Sequence, residues 1–209
     1  MSSADDNWPR YSIGLKDHFH AIGIIIHCWS QIEYVFYQLA SYACSNDSPE
    51  FEFICKNMRD DTRFEIVRNA IIPKLPVEEA EYVKHFLSCA AICKTYRDSF
   101  AHSRFDNIVQ NSELVTIKGF TKDLLDYRTR SWNVSDLRYM ADASYETWQY
   151  GSNVWGALTF RKLNSDFDRS AGSPEPSFAW PDKPALPQNL TQILDIPKQS
   201  PPRHQSSGR

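Results

Sequence analysis

Glycine is scarce in this chain, and the loops that glycine usually builds are missing. There are 7 glycines in 209 residues, and the sequence contains no Gly-rich phosphate loop, no Gly-x-Ser-x-Gly turn and no Cys-x-x-Cys pair. Nucleotide-driven and acyl-transfer enzymes depend on such segments for close backbone approach or for an exposed nucleophile. The sequence therefore disfavours both classes of enzyme.

Long apolar runs and a strong charge of either sign are also lacking. The longest apolar run, residues 21–26, is far shorter than the about 20 residues that span a bilayer. No basic stretch precedes an apolar run near the N-terminus, so we expect no secretory signal and no membrane partner. A net charge of -3 gives no basic field, so any contact with RNA would be local.

The five cysteines are an odd set, scattered over segments with helical periodicity. An odd number of cysteines at irregular spacing does not predict a disulfide framework. We expect free thiols in a reducing compartment, which predicts a cytoplasmic protein.

Helical periodicity dominates the first 163 residues. It predicts a long helix over residues 13–44, shorter helices between 50 and 71, a helix from Pro76 to about Arg97, and a last long helix starting at Ser135. Asp60 and Asp61 are suited to cap one of the short helices. These segments predict a mainly α fold, an antiparallel helical bundle over residues 1–163.

Two segments depart from the helical pattern. Side chains alternate between apolar and polar around residues 113–134, which predicts a small β-hairpin inserted in the bundle. Residues 164–209 contain eight of the twelve prolines and predict an extended or disordered tail. A short apolar stretch, residues 190–196, either packs on the bundle or docks on a partner.

Two charged residues fall on the apolar stripes of predicted helices. Glu33 lies between Trp29 and Phe36, and Arg97 follows the buried-type positions of its own helix. A charge at such a position needs a partner of opposite sign. Glu33 is therefore predicted to be a supporting residue that pairs with Arg97 or with Arg68.

The segment RDSFAH, from Arg97 to His102, holds the residue types that metal-free RNA cleavage requires. A histidine titrates near neutrality and can take the 2′-hydroxyl proton. The planar guanidinium of an arginine can hold two phosphate oxygens while negative charge builds on them.

This segment resembles the Arg-x(4–6)-His signature of the HEPN superfamily, helical-bundle proteins that include many metal-independent endoribonucleases of toxin and anti-phage systems. In that family the residue after the arginine is commonly polar, as Asp98 is here. The resemblance implies a homodimer that cleaves RNA without cofactor or metal, with a cognate antitoxin or other partner protein. It implies His102 as general base, Arg97 as phosphate clamp, and Asp98 orienting one of them.

Two alternatives remain open at the level of sequence. Residues five apart on a regular helix are separated by about 140° and about 7.5 Å, so either the helix ends or loosens near Ser99 to His102, or two subunits together form the site. The second hypothesis for function is a catalytically inactive HEPN-like scaffold. It would use the bundle to dimerise or to bind a partner, with Arg97 paired to Glu33 inside the fold.

Overall fold

The structure, a computed structural model, describes residues 16–44, 49–101, 103–107, 114–120, 127–166, 179–190 and 193, and it is mainly helical. The elements in chain order are α1 (Lys16–Cys44), α2 (Pro49–Asn57), α3 (Asp60–Ile66), α4 (Val77–Ala101), β1 (Ser103–Asn107), β2 (Leu114–Phe120), β3 (Tyr127–Asn133) and α5 (Val134–Asp166). No helix in these ranges is both long enough and apolar enough to cross a membrane.

Helix α1 forms the centre of the core. Its side chains Ile25, Ile32 and Leu39 are fully buried, and their spacing of seven residues keeps them on one face of the helix. This face packs mainly against α5 and, to a smaller extent, against α4. The predicted mainly α architecture is therefore confirmed for the described residues.

Helix α3 passes into α4 through two irregular turns. A π-helical turn (Val67–Ile71) is followed by a 3-10 turn (Ile72–Lys74), and the chain then bends at Pro76. Arg59, with extended backbone, occupies the N-cap position of α3 and makes no capping side-chain bond. The expected cap residue Asp60 instead lies in the first turn, where its carboxylate binds arginine side chains.

The strands form one antiparallel sheet in the order β1-β2-β3. The sequence predicts only the hairpin of β2 and β3, and it misses β1. That strand has five residues and its register shifts between Phe105 and Asn107, so it carries too little alternation to be detected. Trp132 of β3 is fully buried and meets Phe100 of α4 edge to face at 6.0 Å, which fixes the sheet to the bundle.

The start of α5 is capped by Asn133, one position before the helix and two before the predicted start at Ser135. The side-chain oxygen of Asn133 accepts the backbone N–H of Asp136 at 2.7 Å, and the Asp136 carboxylate accepts the N–H of Asn133 at 3.3 Å. This reciprocal arrangement satisfies N–H groups that a helix start leaves without partners.

Residues 179–189, here called the strap, lie along α4 without regular secondary structure. Trp180 stacks on Tyr82 with ring centroids 4.5 Å apart, and the Pro184 carbonyl is 2.8 Å from Nε2 of His85. Farther along, the hydroxyl of Tyr96 donates to the carbonyl of Gln188. Residues 179–189 of the predicted tail are thus extended and packed on the bundle, whereas residues 164–166 continue α5 and Leu190 and Ile193 are helical.

Candidate functional site

Arg97 lies in the last turns of α4, at the boundary between core and solvent. Its side chain is 17% exposed. One terminal nitrogen donates to the Asp98 carboxylate at 2.7 Å and the other donates to Asp60 of α3. The guanidinium carbon lies 5.2 Å from the centre of the Trp29 ring, a cation–π contact from α1. Three helices therefore hold this guanidinium.

Glu33 binds neither of its two predicted partners. Its carboxylate pairs with Arg63 of α3, while Arg68 pairs with Glu65 on the surface at 2.7 Å. The physical reason is that α3 packs against α1, which brings Arg63 to Glu33. The Nε of Arg63 also donates to the carbonyl of Cys55 at 3.2 Å, which ties the pair to α2.

Oppositely charged side chains follow one another from α1 to the end of α4, a set we term the ionic network. In spatial order its members are Glu33, Arg63, Asp60, Arg97, Asp98 and Lys94. Asp60 is the central residue, because it binds both arginines and its side chain is only 15% exposed. Three acids and three bases alternate, so the network gathers phosphate-binding groups without adding net charge.

Asp98, predicted to orient either Arg97 or His102, contacts Arg97. It bridges Arg97 and Lys94, each at 2.7 Å, from a position that is 36% exposed. A carboxylate shared in this way limits the rotamers of the arginine. The arrangement is therefore consistent with a positioning role toward Arg97.

His102 lies outside the described residues, although in sequence it directly follows Ala101, the last residue of α4. Helix α4 reaches Ala101 and β1 begins at Ser103. The choice between the two geometric alternatives therefore stays a prediction.

A groove of about 430 Å³ borders the ionic network at Glu33 and Arg63. The other lining residues are Ser30, Gln31, Tyr34 and Tyr37 of α1, with Cys55 of α2. The sequence analysis missed this groove. Its signal is the i, i+4, i+7 spacing of Ser30, Tyr34 and Tyr37, a helix face separate from the apolar stripe.

The buried cysteine thiols are poor nucleophiles at neutral pH, because burial raises their pKa. All five cysteines are free, as expected. Burial raises the pKa of the Cys55 thiol in the groove; the nearby Cys44 raises it further and Arg63 lowers it. Burial also raises the pKa of Cys89 to about 12 and that of Cys93 to about 11. Within the ranges that the structure describes, no three His, Cys, Asp or Glu side chains converge as metal ligands.

Comparisons of the chain with protein-family models, with curated proteins and with solved structures found no match. The likeness to the HEPN superfamily therefore rests on the RDSFAH segment and on helical architecture.

Proposed function

We propose that the chain is a metal-independent endoribonuclease of the HEPN type, an antiparallel bundle that acts as a homodimer. His102 is the general base and Arg97 stabilises the phosphate. The observation that carries the proposal is the position of Arg97, fixed by three helices at the edge of the core and near the end of α4.

The fixed guanidinium is suited to binding a phosphate. Two of its five N–H donors reach carboxylates, and no described residue accepts from the remaining three. Because Asp60, Asp98 and Trp29 already limit its motion, little side-chain entropy is lost when a phosphate binds. Arg63 and Lys94 balance the nearby carboxylates, which lowers the repulsion that they exert on an anion.

The reaction follows from these groups. His102 takes the 2′-hydroxyl proton, the 2′ oxygen attacks phosphorus, and the bond from phosphorus to the 5′ oxygen breaks. A proton returns to the leaving 5′ oxygen, so the products are a 2′,3′-cyclic phosphate and a 5′-hydroxyl. Arg97 stabilises the charge on the phosphate oxygens during the attack. By the family resemblance, the setting would be toxin or anti-phage defence with a cognate antitoxin.

Cleavage of a mixed-sequence RNA by purified protein in EDTA tests the proposal. We expect wild type to cleave, and His102→Ala and Arg97→Ala each to lower the rate about a hundredfold or more. Arg68→Ala is the matched control, since Arg68 is an exposed arginine outside the ionic network, and it should cleave like wild type. Equal cleavage by all four proteins, or none by wild type, would remove the nuclease assignment.

A second candidate is the catalytically inactive scaffold, which one observation favours. Arg97 already binds two carboxylates and is mostly buried, so stabilising the fold is a sufficient role for it. On this alternative, Arg97→Ala lowers the melting temperature while wild type leaves RNA intact and still forms dimers in light scattering. A monomeric wild type would contradict the homodimeric nuclease and would leave only the form of the scaffold that binds a partner.

A further inference from the structure

The groove beside the ionic network has the size and composition of a small-molecule site. Its volume of about 430 Å³ falls within the range of about 300–1,000 Å³ that is typical of ligand pockets. It combines aromatic rings from α1 with one carboxylate and one guanidinium. A ligand that fits must present both a flat face and hydrogen-bonding edges.

The aromatic rings supply the flat surface. Tyr34 and Tyr37 are neighbours on α1, with ring centroids 5.7 Å apart and planes inclined by 36°. Phe51 of α2 supports Tyr37 from the side, at 6.4 Å between centroids. Tyr34 remains 47% exposed, so a ring entering the groove can stack on it.

Glu33 supplies a fixed hydrogen-bond acceptor. Arg63 binds one of its carboxylate oxygens, which sets the orientation of the group, and the side chain remains 30% exposed. A carboxylate accepts best from two adjacent N–H donors. Among the four RNA bases only guanine presents such a pair, N1–H beside the exocyclic N2–H, on its Watson–Crick edge.

The groove and Arg97 are linked through the ionic network. Arg63 lines the groove and Asp60 joins Arg63 to Arg97, so two hydrogen-bonded steps separate the groove from the proposed phosphate site. In a single nucleotide the base and the phosphate are likewise close together, because one sugar joins them. One nucleotide can therefore occupy both places.

We propose that this groove binds a nucleobase of single-stranded RNA, guanine in preference to adenine, next to the phosphate held by Arg97. The base stacks on Tyr34, and Glu33 accepts from its Watson–Crick edge. The inference rests on the proposed function for the identity of the ligand. It adds to that function a residue set that determines where the RNA is cut.

Fluorescence anisotropy with uncleavable 2′-O-methyl hexanucleotides tests the groove separately from catalysis. The two probes are fluorescein-labelled oligouridylates carrying a single central guanosine or a single central adenosine. Wild type should bind the guanosine probe more tightly. Tyr34→Ala should raise its Kd about tenfold, since one stacked base is lost, whereas Tyr34→Phe should keep the wild-type Kd. Tyr145→Ala, which removes a tyrosine from α5 that is 50% exposed, is the matched control.

Base preference distinguishes recognition from a structural role of Glu33. Glu33→Gln should bring the guanosine and adenosine probes to similar Kd values, because an amide presents a donor where the carboxylate only accepts. If this variant unfolds, Ser30→Trp, which fills the groove from α1 and leaves the ion pair intact, should abolish the preference instead. If the folded variant, Glu33→Gln or Ser30→Trp, still binds the guanosine probe more tightly than the adenosine probe, guanine recognition by the groove is overturned.

The outcomes separate this inference from the nuclease assignment. If Tyr34→Ala and Tyr145→Ala bind both probes as tightly as wild type, the groove is not the base site, whatever RNA the protein cuts. If the groove variants lose binding but wild type cleaves no RNA, the base site stands and only the proposed catalysis fails.

Discussion

Asp60 joins two arginines that come from different helices, and its energetic role follows from how little water reaches it. Its carboxylate accepts from Arg63 at 3.2 Å and also from Arg97. In such a partly buried cluster the loss of one charge leaves its partners desolvated and unpaired, which costs more than the original pairing contributed. Replacing Asp60 should therefore lower the free energy of unfolding more than replacing the exposed neighbouring carboxylate Asp61.

Replacing Asp60 tests this at single-residue resolution. We expect Asp60→Asn to lower the free energy of unfolding by about 2–3 kcal/mol, because both arginines lose a charged acceptor. Urea denaturation followed by circular dichroism measures the change. Asp61→Asn, the exposed neighbour on the same helix, should change it by less than about 0.5 kcal/mol. Equal effects of the two substitutions would show that the ionic network does not hold the helices together.

The buried thiols make stability fall in alkaline solution. Because folding raises the pKa of Cys89 from 9.0 to about 12, the thiol loses its proton more readily in the unfolded chain. Its contribution is complete below pH 9 and is lost as the pH rises toward 12. We expect wild type to lose about 1 kcal/mol from this group by about pH 10.

Urea unfolding under reducing conditions at pH 8, 9 and 10 measures that slope. Cys89→Ala should reduce it, whereas Ser88→Ala, at an exposed neighbouring position without a thiol, should leave it unchanged. Identical slopes for wild type and Cys89→Ala would contradict the assignment of the effect to this thiol.

Helices α4 and α5 approach each other closely where α5 carries Gly151. A Cβ atom at this position would overlap the ring of Phe86, which is fully buried on α4 and has no room to move. Glycine is thus required here by packing, although it weakens the helix itself. The second glycine of α5, Gly156, has no atom near its would-be Cβ within the described residues.

The two glycines of α5 should respond in opposite directions to the same substitution. Gly151→Ala should lower the free energy of unfolding by about 1–3 kcal/mol, because the core becomes overpacked. Gly156→Ala should raise it by about 0.5–1 kcal/mol, because alanine favours the helix and nothing opposes it. Thermal unfolding by calorimetry compares them, and a stabilised Gly151→Ala protein would contradict the packing argument.

At the scale of the whole molecule, sequence periodicity predicts most of the helices but few of the contacts between them. The turn residues after Cys44 predict that α1 ends there. The place of Arg97 on the apolar stripe of α4 predicts that it needs an anionic partner. That Asp60 is this partner does not follow from the sequence, since the pair depends on how α3 is placed relative to α4. Packing at long sequence separation carries no local signal.

The same limit applies to the strap. Proline content predicts an extended chain, but nothing in the composition tells that Trp180 stacks on Tyr82. Likewise, the groove forms only because α2 lies beside α1. The spacing of the tyrosines on α1 does not predict that arrangement. The sequence therefore identifies the residues of the RDSFAH motif, but it does not identify the side chains that contact them in the fold.

The strap should contribute measurably to the stability of the whole fold. We expect Trp180→Ala to lower the free energy of unfolding by about 1–2 kcal/mol, through the loss of the stacked contact and of buried area on α4. Asp182→Ala, an exposed position in the same strap, should have no measurable effect. Chemical denaturation of both variants checks this, and an unchanged Trp180→Ala protein would mean that the strap adds nothing.

The pairing of α1 with α5 has a consequence for how the protein is made. Helix α1 leaves the ribosome well before α5, because α5, against which α1 mainly packs, starts only at Val134. At about 5–20 residues per second, roughly 5–18 seconds of translation separate Cys44 from that point. During this interval the nascent chain exposes the apolar face of α1. Chaperones that bind emerging hydrophobic segments can bind it there.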